Sequence, residues 1–183
     1  VLTYPTGRIY LDKCGESELK KAAECFNLAG SYAMAAEVYA KGSYFSECLS
    51  GCTKAKLFDV GLQYIEYWKQ HKLKDNGVTR SKDMENIEQE FLEGCARNFH
   101  ELKDNKNMMK FVRAFYSMDL KRSFLKSEEC LNELMLLEEE SGNFFEAAEI
   151  ARMLGDLLHE ADIQGKSGQF TEASSIILWY VCC

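Results

Sequence analysis

Proline is almost absent from this sequence, since Pro5 is the only one among 183 residues. Proline ends helices, and β-sandwiches and barrels usually mark their turns with Pro and Gly, so the shortage favours continuous helix after residue 5. The sequence also lacks any run of about 18 apolar residues, so no membrane-spanning helix is predicted. A secretory signal and a loop-rich disulfide framework are missing too, and the eight cysteines therefore indicate a reducing, intracellular compartment.

Basic residues are in the minority: 22 Lys and Arg stand against 29 Asp and Glu, for a net charge of −7. This balance argues against sequence-independent binding to phosphate backbones, which needs clustered Lys and Arg. The longest run of like charge is Glu138–Glu140. Such a short run is typical of a solvated helix face, and that is the structure predicted for it.

Helical periodicity begins near Glu16, where apolar residues recur at i, i+3, i+4 and i+7. A phrase then repeats, Gly-x-aromatic-x-x-Ala-Ala/Ser, and Gly142, Gly155 and Gly168 are spaced thirteen residues apart. The glycine permits a sharp turn between antiparallel helices, the aromatic ring is expected to pack on the preceding helix, and Ala lets two helices approach closely. This phrase is typical of the second helix of a tetratricopeptide (TPR) unit. Its positions are Gly30, Tyr32, Ala35, Ala36, Gly142, Phe144, Ala147, Ala148, Gly168, Phe170 and Ala173.

The predicted fold is all-α, an irregular TPR-like array of antiparallel helix pairs (an α-solenoid) with about nine or ten helices. Residues 1–15 are predicted to be an irregular lead-in, and 16–70 to form TPR-like helix pairs. A polar loop with the turn signal Asn76-Gly77 is predicted at 71–83. Further helix pairs are predicted at 84–183, with TPR-like units at 142–181.

Two short patterns resemble chemical sites without completing them. Gly165-Lys166-Ser167 resembles the end of a Walker A loop, but Glu160 stands where the first glycine is needed, so a turn between helices is predicted. Cys48 and Cys52 lie at i, i+4 and could supply two zinc ligands, yet His71, His100 and His159 are scattered, which favours packing cysteines. No catalytic residues, cofactor or metal are predicted for this segment, and it is not expected to be an enzyme.

A local basic stretch supports one nucleic-acid hypothesis. Its cations lie among Phe111, Phe115, Tyr116 and Phe124, and aromatic stacking combined with backbone charge is how proteins hold single strands. The alternative, which the pattern favours, places these aromatic residues in the core and the cations in solvent. The candidate contacts are Lys110, Arg113, Lys121, Arg122 and Lys126.

Four phrases resemble a family of very large plant proteins described as UvrD-like helicases or as TPR and ankyrin repeat-containing protein 1-like. They are KLFDVGLQYIEYWKQH at 56–71, MMKFVRAFYSMD at 108–119, LEEESGNFFEAAEIA at 137–151 and GKSGQFTEASSIILWYV at 165–181. The resemblance covers residues 16–182 and lies with the helical-repeat region that follows a superfamily 1 helicase-like, ATP-binding module. It implies a helicase-like parent protein of which this chain is a part, and it carries no ATP site over to this segment.

The predicted function is a protein-interaction or scaffold segment of that parent, in which stacked helix pairs form a groove for a peptide or helix from a partner. The alternative is an accessory nucleic-acid-binding extension of the parent helicase. Expected partners are a protein or peptide, nucleic acid in the alternative, and no membrane. Because the terminal helices of a repeat array expose their packing faces, self-association through uncapped ends is also expected.

Overall fold

The computed structural model describes residues 18–72 and 82–182, and within these ranges every regular element is an α-helix. The described residues contain eleven helices, where about nine or ten were expected, and neighbours along the chain pack on each other. The predicted all-α fold of consecutive helix pairs is therefore confirmed. The helices are α1 (Leu19–Leu28), α2 (Tyr32–Lys41), α3 (Phe45–Lys54), α4 (Phe58–Lys72), α5 (Lys82–Glu101), α6 (Asn105–Arg113), α7 (Met118–Ser127), α8 (Leu131–Glu140), α9 (Phe144–Leu154), α10 (Leu157–Lys166) and α11 (Phe170–Cys182).

The chain divides into two compact units, the first ending at Tyr116 and the second beginning at Ser117. In the first, α1, α2 and α3 pack in succession, and α5 packs on α3 and α6. In the second, α8 to α11 pack in succession. The predicted lead-in at 1–15 lies outside the described residues. The predicted loop at 71–83 does so for residues 73–81, while its first two and last two residues belong to α4 and α5.

A thirteen-residue period relates the first four helices of the first unit and all the helices of the second, although the sequence shows it only at three glycines. In the first unit the helices α1 to α4 begin thirteen residues apart, and in the second unit α7 to α11 do the same. A helix pair therefore takes 26 residues, which is shorter than the roughly 34 residues of a TPR unit. The helices are mostly ten residues long, and their short connections make neighbours antiparallel.

The connections between helices of the period that the structure describes share one backbone turn. After α8, the Asn143 N–H donates to the Glu138 carbonyl at 2.9 Å and the Gly142 N–H donates to the Glu139 carbonyl at 3.0 Å. This Schellman arrangement needs a residue with positive φ, and Gly142 supplies it at 77°. Four turns use a residue other than glycine at this place, with φ between 55° and 59°: Ser43, Lys56, Lys103 and Glu129.

Replacing such a residue by glycine should stabilise the protein. We expect Lys103→Gly to raise the free energy of unfolding by about 1 kcal/mol, because a left-handed conformation strains any residue with a Cβ atom. The matched control is Lys106→Gly inside α6, where glycine should lower stability by about 1 kcal/mol. Urea unfolding followed by circular dichroism measures both, and equal losses in the two variants would contradict the assignment of the turn.

The same positions of each helix face the core. The fourth, fifth, seventh and eighth residues are buried in α1, α2, α8, α9 and α10. The repeat alanines Ala35, Ala36, Ala147, Ala148 and Ala173 all fall on this face and are buried. Of the repeat aromatics, Tyr32 and Phe144 are half-buried, but Phe170 is 70% exposed and does not pack on the preceding helix as expected. Phe170 differs from Tyr32 and Phe144 because its helix, α11, is largely exposed: of the described residues of α11, Ala173 is the buried one.

Candidate functional site

A groove in the first unit lies between α2 and α4 and has a volume of about 400 Å³. This volume falls within the range of protein sites that take a small molecule or a large side chain. Most of the surface inside it is apolar. Its lining residues are Glu37, Ala40 and Lys41 from α2 and Gln63, Tyr64, Tyr67 and Trp68 from α4.

The shape of the groove follows from residue size on two helices. Tyr64, Tyr67 and Trp68 occupy positions i, i+3 and i+4 and therefore share one side of α4. Across from them α2 offers Ala40, whose small side chain leaves the space open. The Trp68 ring lies 4.6 Å from the Phe45 ring of α3 and 5.7 Å from the Tyr64 ring, measured between centroids. We call Tyr64, Tyr67 and Trp68 the aromatic wall of the groove. The contact of Trp68 with Phe45 fixes the position of the Trp68 ring in this wall.

The polar groups of the groove stand at its edge. Lys41 Nζ donates to Glu37 Oε1 at 2.8 Å, and both side chains are well exposed, so the pair is weak and can exchange partners with an incoming ligand. Burial, with the nearby thiols and Glu37, raises the pKa of Tyr64. The Tyr64 hydroxyl is accordingly neutral at physiological pH and able both to donate and to accept a hydrogen bond.

The sequence pattern did not single out this groove, because Trp68 fits the buried stripe of α4 and Tyr64 and Tyr67 were assigned no role. A signal was present: three aromatic residues occur within five positions, more than one buried stripe needs. In the structure Trp68 is buried while Tyr67 is 54% exposed.

The five candidate nucleic-acid contacts are divided between the two units. Lys110 and Arg113 lie on α6 in the first unit, and Lys121, Arg122 and Lys126 lie on α7 in the second. Lys110 Nζ is paired with Asp59 Oδ1 at 2.7 Å. Among the interleaved aromatic residues Tyr116 is 74% exposed, whereas the other three are buried and offer no face for base stacking: Phe111, Phe115 and Phe124.

Arg122 forms an ion pair with Glu138. The solvated face predicted for residues 138–140 is therefore wrong at Glu138, which is buried. The Glu138 side chain is 2% exposed and accepts from Arg122 Nη2 at 2.8 Å and from Asn143 Nδ2 at 2.8 Å. The hydrogen bond from Arg122 has the largest effect and, with the one from Asn143, holds the pKa of Glu138 below its ordinary value. Burial alone would raise this pKa. Glu160 is buried in the same way and accepts from Arg152 Nη2 at 2.6 Å.

The residues of the two incomplete chemical patterns take part in helix packing and in ion pairs. Cys48 and Cys52 are both buried in the packed helices, and no group of three metal-ligating side chains occurs within 18–72 and 82–182. Lys166 ends α10 and is bound to Glu139 at 2.6 Å and Asp162 at 2.8 Å. The carboxyl end of a helix dipole disfavours bound phosphate.

Comparison of the chain with protein-family models, with curated proteins and with solved structures finds no match in any of the three. No helix in the described part of the chain is both long and apolar enough to cross a membrane. The resemblance to the plant helicase-like family therefore stays a prediction.

Proposed function

We propose that this chain is a protein-interaction segment of a large helicase-like, ATP-binding protein, and that its α2–α4 groove receives a peptide from a partner. The observation that carries the proposal is the groove itself, an open aromatic-walled site of about 400 Å³ on a helical-repeat scaffold. Helical repeats commonly bind extended or helical peptides in this way. The parent is proposed from the resemblance of residues 16–182 alone.

Recognition would depend on an apolar anchor. A Leu- or Phe-sized side chain entering the groove would lie against Tyr64, Tyr67 and Trp68, and its burial contributes about 1.5–3 kcal/mol. The polar residues at the edge, Glu37 and Lys41, would then fix the direction of the peptide through hydrogen bonds. Because the Trp68 ring is already packed on Phe45 of α3, that part of the wall needs little ordering when the partner binds.

The free thiols support an intracellular setting for this interaction. Six cysteines in the described ranges carry no disulfide: Cys25, Cys48, Cys52, Cys95, Cys130 and Cys182. Five of them are buried inside the packed helices, where reduced cysteine acts as a small hydrophobe. We place the protein in a reducing compartment, and we place ATP hydrolysis in the parent's helicase-like module and not in this segment.

Selection of binders from a displayed library of random peptides tests the groove. We expect peptides with a large apolar anchor, and we expect Ala40→Trp to weaken their binding at least about tenfold because the indole fills the groove. Ala33→Trp is the matched control, since Ala33 is exposed on the same helix and is not part of the lining. If binding survives Ala40→Trp, or is lost equally in both variants, the α2–α4 groove is not the peptide-binding site.

A titration with labelled single-stranded DNA and RNA at two salt concentrations tests the alternative function, nucleic-acid binding by this segment. We expect no saturable binding at low salt, because the net charge is −7, Lys110 is paired with Asp59, and three of the four interleaved aromatic rings are buried. Binding that weakens steeply with salt, and that is lost when Lys121 and Lys126 are both changed to Glu, would instead assign this segment to the substrate path of the parent.

A further inference from the structure

A second groove of the first unit lies between α3 and α5 and has a volume of about 250 Å³. It shares no lining residue with the α2–α4 groove. Leu49 of α3 and Phe91 of α5 line it and are buried, so they form an apolar floor. Because its volume is below the range of sites that take a whole small molecule, the α3–α5 groove suits a single long side chain.

Three hydroxyl groups line the α3 side of this groove. They belong to Ser46, Ser50 and Thr53, whose spacing of i, i+4 and i+7 places them on one side of the helix, and all three residues are exposed. The Thr53 hydroxyl donates its proton to the Leu49 carbonyl at 3.0 Å, which leaves its oxygen to act as an acceptor. The α3 side therefore offers a row of hydrogen-bond acceptors above the apolar floor.

The α5 side supplies a negative charge. Glu90 is exposed and lines the groove, and within residues 18–72 and 82–182 no cationic side chain pairs with it. It belongs to an acidic part of α5, because residues 82–93 contain five Asp and Glu but one Lys. Lys54, a cation of α3, is directed to α2, where its Nζ lies 5.7 Å from the centroid of the Tyr32 ring. The charge of the α3–α5 groove is thus complementary to a cation.

We propose that the α3–α5 groove binds an arginine side chain of a partner protein. A guanidinium has five N–H donors in a planar fork, which suit the Glu90 carboxylate on one side of the groove and the hydroxyls on the other. It is also more weakly hydrated than the ammonium group of lysine, so it enters more readily against Leu49 and Phe91. An acidic side chain would be repelled by Glu90, and an apolar one would leave the carboxylate without a partner.

The test is a titration of the full chain with the tripeptide acetyl-Gly-Arg-Gly-amide at low ionic strength, followed by nuclear magnetic resonance. We expect saturable shifts of the backbone amide signals of Ser46, Ser50 and Glu90, with a Kd of about 1–10 mM for a single side chain. The same tripeptide with citrulline, which has the shape of arginine without its charge, should bind at least about tenfold more weakly. With lysine, binding should be about fivefold weaker because the planar fork is lost.

Three variants identify the groove as the site. Glu90→Gln should weaken binding of the arginine tripeptide at least about tenfold, because the carboxylate is replaced by a neutral amide. Glu101→Gln is the matched control, since it makes the same charge change on the same helix outside the lining, and it should bind as the wild type does. Ala40→Trp fills the α2–α4 groove and should also leave this binding unchanged, so the arginine site and the proposed peptide groove are tested separately.

Four results would overturn the arginine site. The first is equal binding of the arginine and citrulline tripeptides, a comparison that needs no variant. The second is unchanged binding by Glu90→Gln, and the third is an equal loss in Glu90→Gln and Glu101→Gln, which would mean that the net charge of α5 attracts the peptide. The fourth is a set of shifts that excludes Ser46, Ser50 and Glu90. Circular dichroism of each variant shows whether its helix content is that of the wild type.

Discussion

Arg122→Ala is expected to lower the free energy of unfolding of the second unit by about 3–4 kcal/mol. The Glu138 carboxylate is 2% exposed, and Arg122 is its cationic partner through two hydrogen bonds. Removing the guanidinium leaves a buried charge that keeps only the Asn143 amide, and breaking a buried pair in this way costs about 3–5 kcal/mol. Urea unfolding of the wild type and the variant measures the difference.

Two further variants show whether the loss comes from the buried charge. Asp119→Ala removes the other carboxylate near Arg122, but that side chain is 93% exposed, so we expect a loss below about 0.5 kcal/mol. Arg122→Met combined with Glu138→Leu replaces both partners by apolar groups of similar volume and should recover most of the lost stability. If Arg122→Ala is as mild as Asp119→Ala, Arg122 is not structural and returns to the candidate nucleic-acid contacts.

This pair also shows why the sequence pattern misjudged residues 138–140. A run of three glutamates looks solvated when only charge is counted, whereas the period puts Glu138 at the buried eighth position of α8. Arg122 is the fifth residue of α7, which is also a core-facing position, so the two meet across adjacent helices. Two charged residues of opposite sign at core-facing positions of neighbouring units could have predicted the pair, had the period been recognised.

The period itself was hidden because only some of its turns contain glycine. The spacing of Gly142, Gly155 and Gly168 showed it, and the all-α fold could be predicted from apolar periodicity. At Lys56 and Glu129 the same turn forms with positive φ and no glycine, because the strain of about 1 kcal/mol is small beside the packing of the helices it connects. Propensity rules therefore place no turn signal there.

The groove between α2 and α4 could not be predicted from the sequence for a different reason. Tyr64, Tyr67 and Trp68 are apolar residues at helical spacing, and such spacing does not distinguish a ring that is buried from one that lines an open site. Whether the rings are covered depends on the residue opposite, and Ala40 is 24 positions earlier in the chain. A site formed by a small residue on one helix and large residues on another needs the three-dimensional pairing of the helices.

Gly61→Ala is the second change with a large expected effect, a loss of about 2 kcal/mol in the first unit. A Cβ atom at residue 61 would collide with Phe91 Cζ and would lie 2.9 Å from Phe91 Cε1. Phe91 is 7% exposed in α5, so its ring has no room to retreat, and overpacking of this kind costs about 1–3 kcal/mol. The loss is measured by urea unfolding.

Gly94→Ala is the matched control, because it makes the same chemical change in the interior of α5 where a Cβ atom meets nothing within 4 Å. There the better helix propensity of alanine should raise stability by about 0.5–1 kcal/mol.

Phe91→Leu should remove most of the penalty of Gly61→Ala in the double variant, since the clash involves the ring. If Gly61→Ala stabilises as Gly94→Ala does, α4 and α5 do not approach closely at this point. Opposite signs for the two variants would mean that glycine at 61, unfavourable for the helix itself, is what lets Phe91 pack against α4.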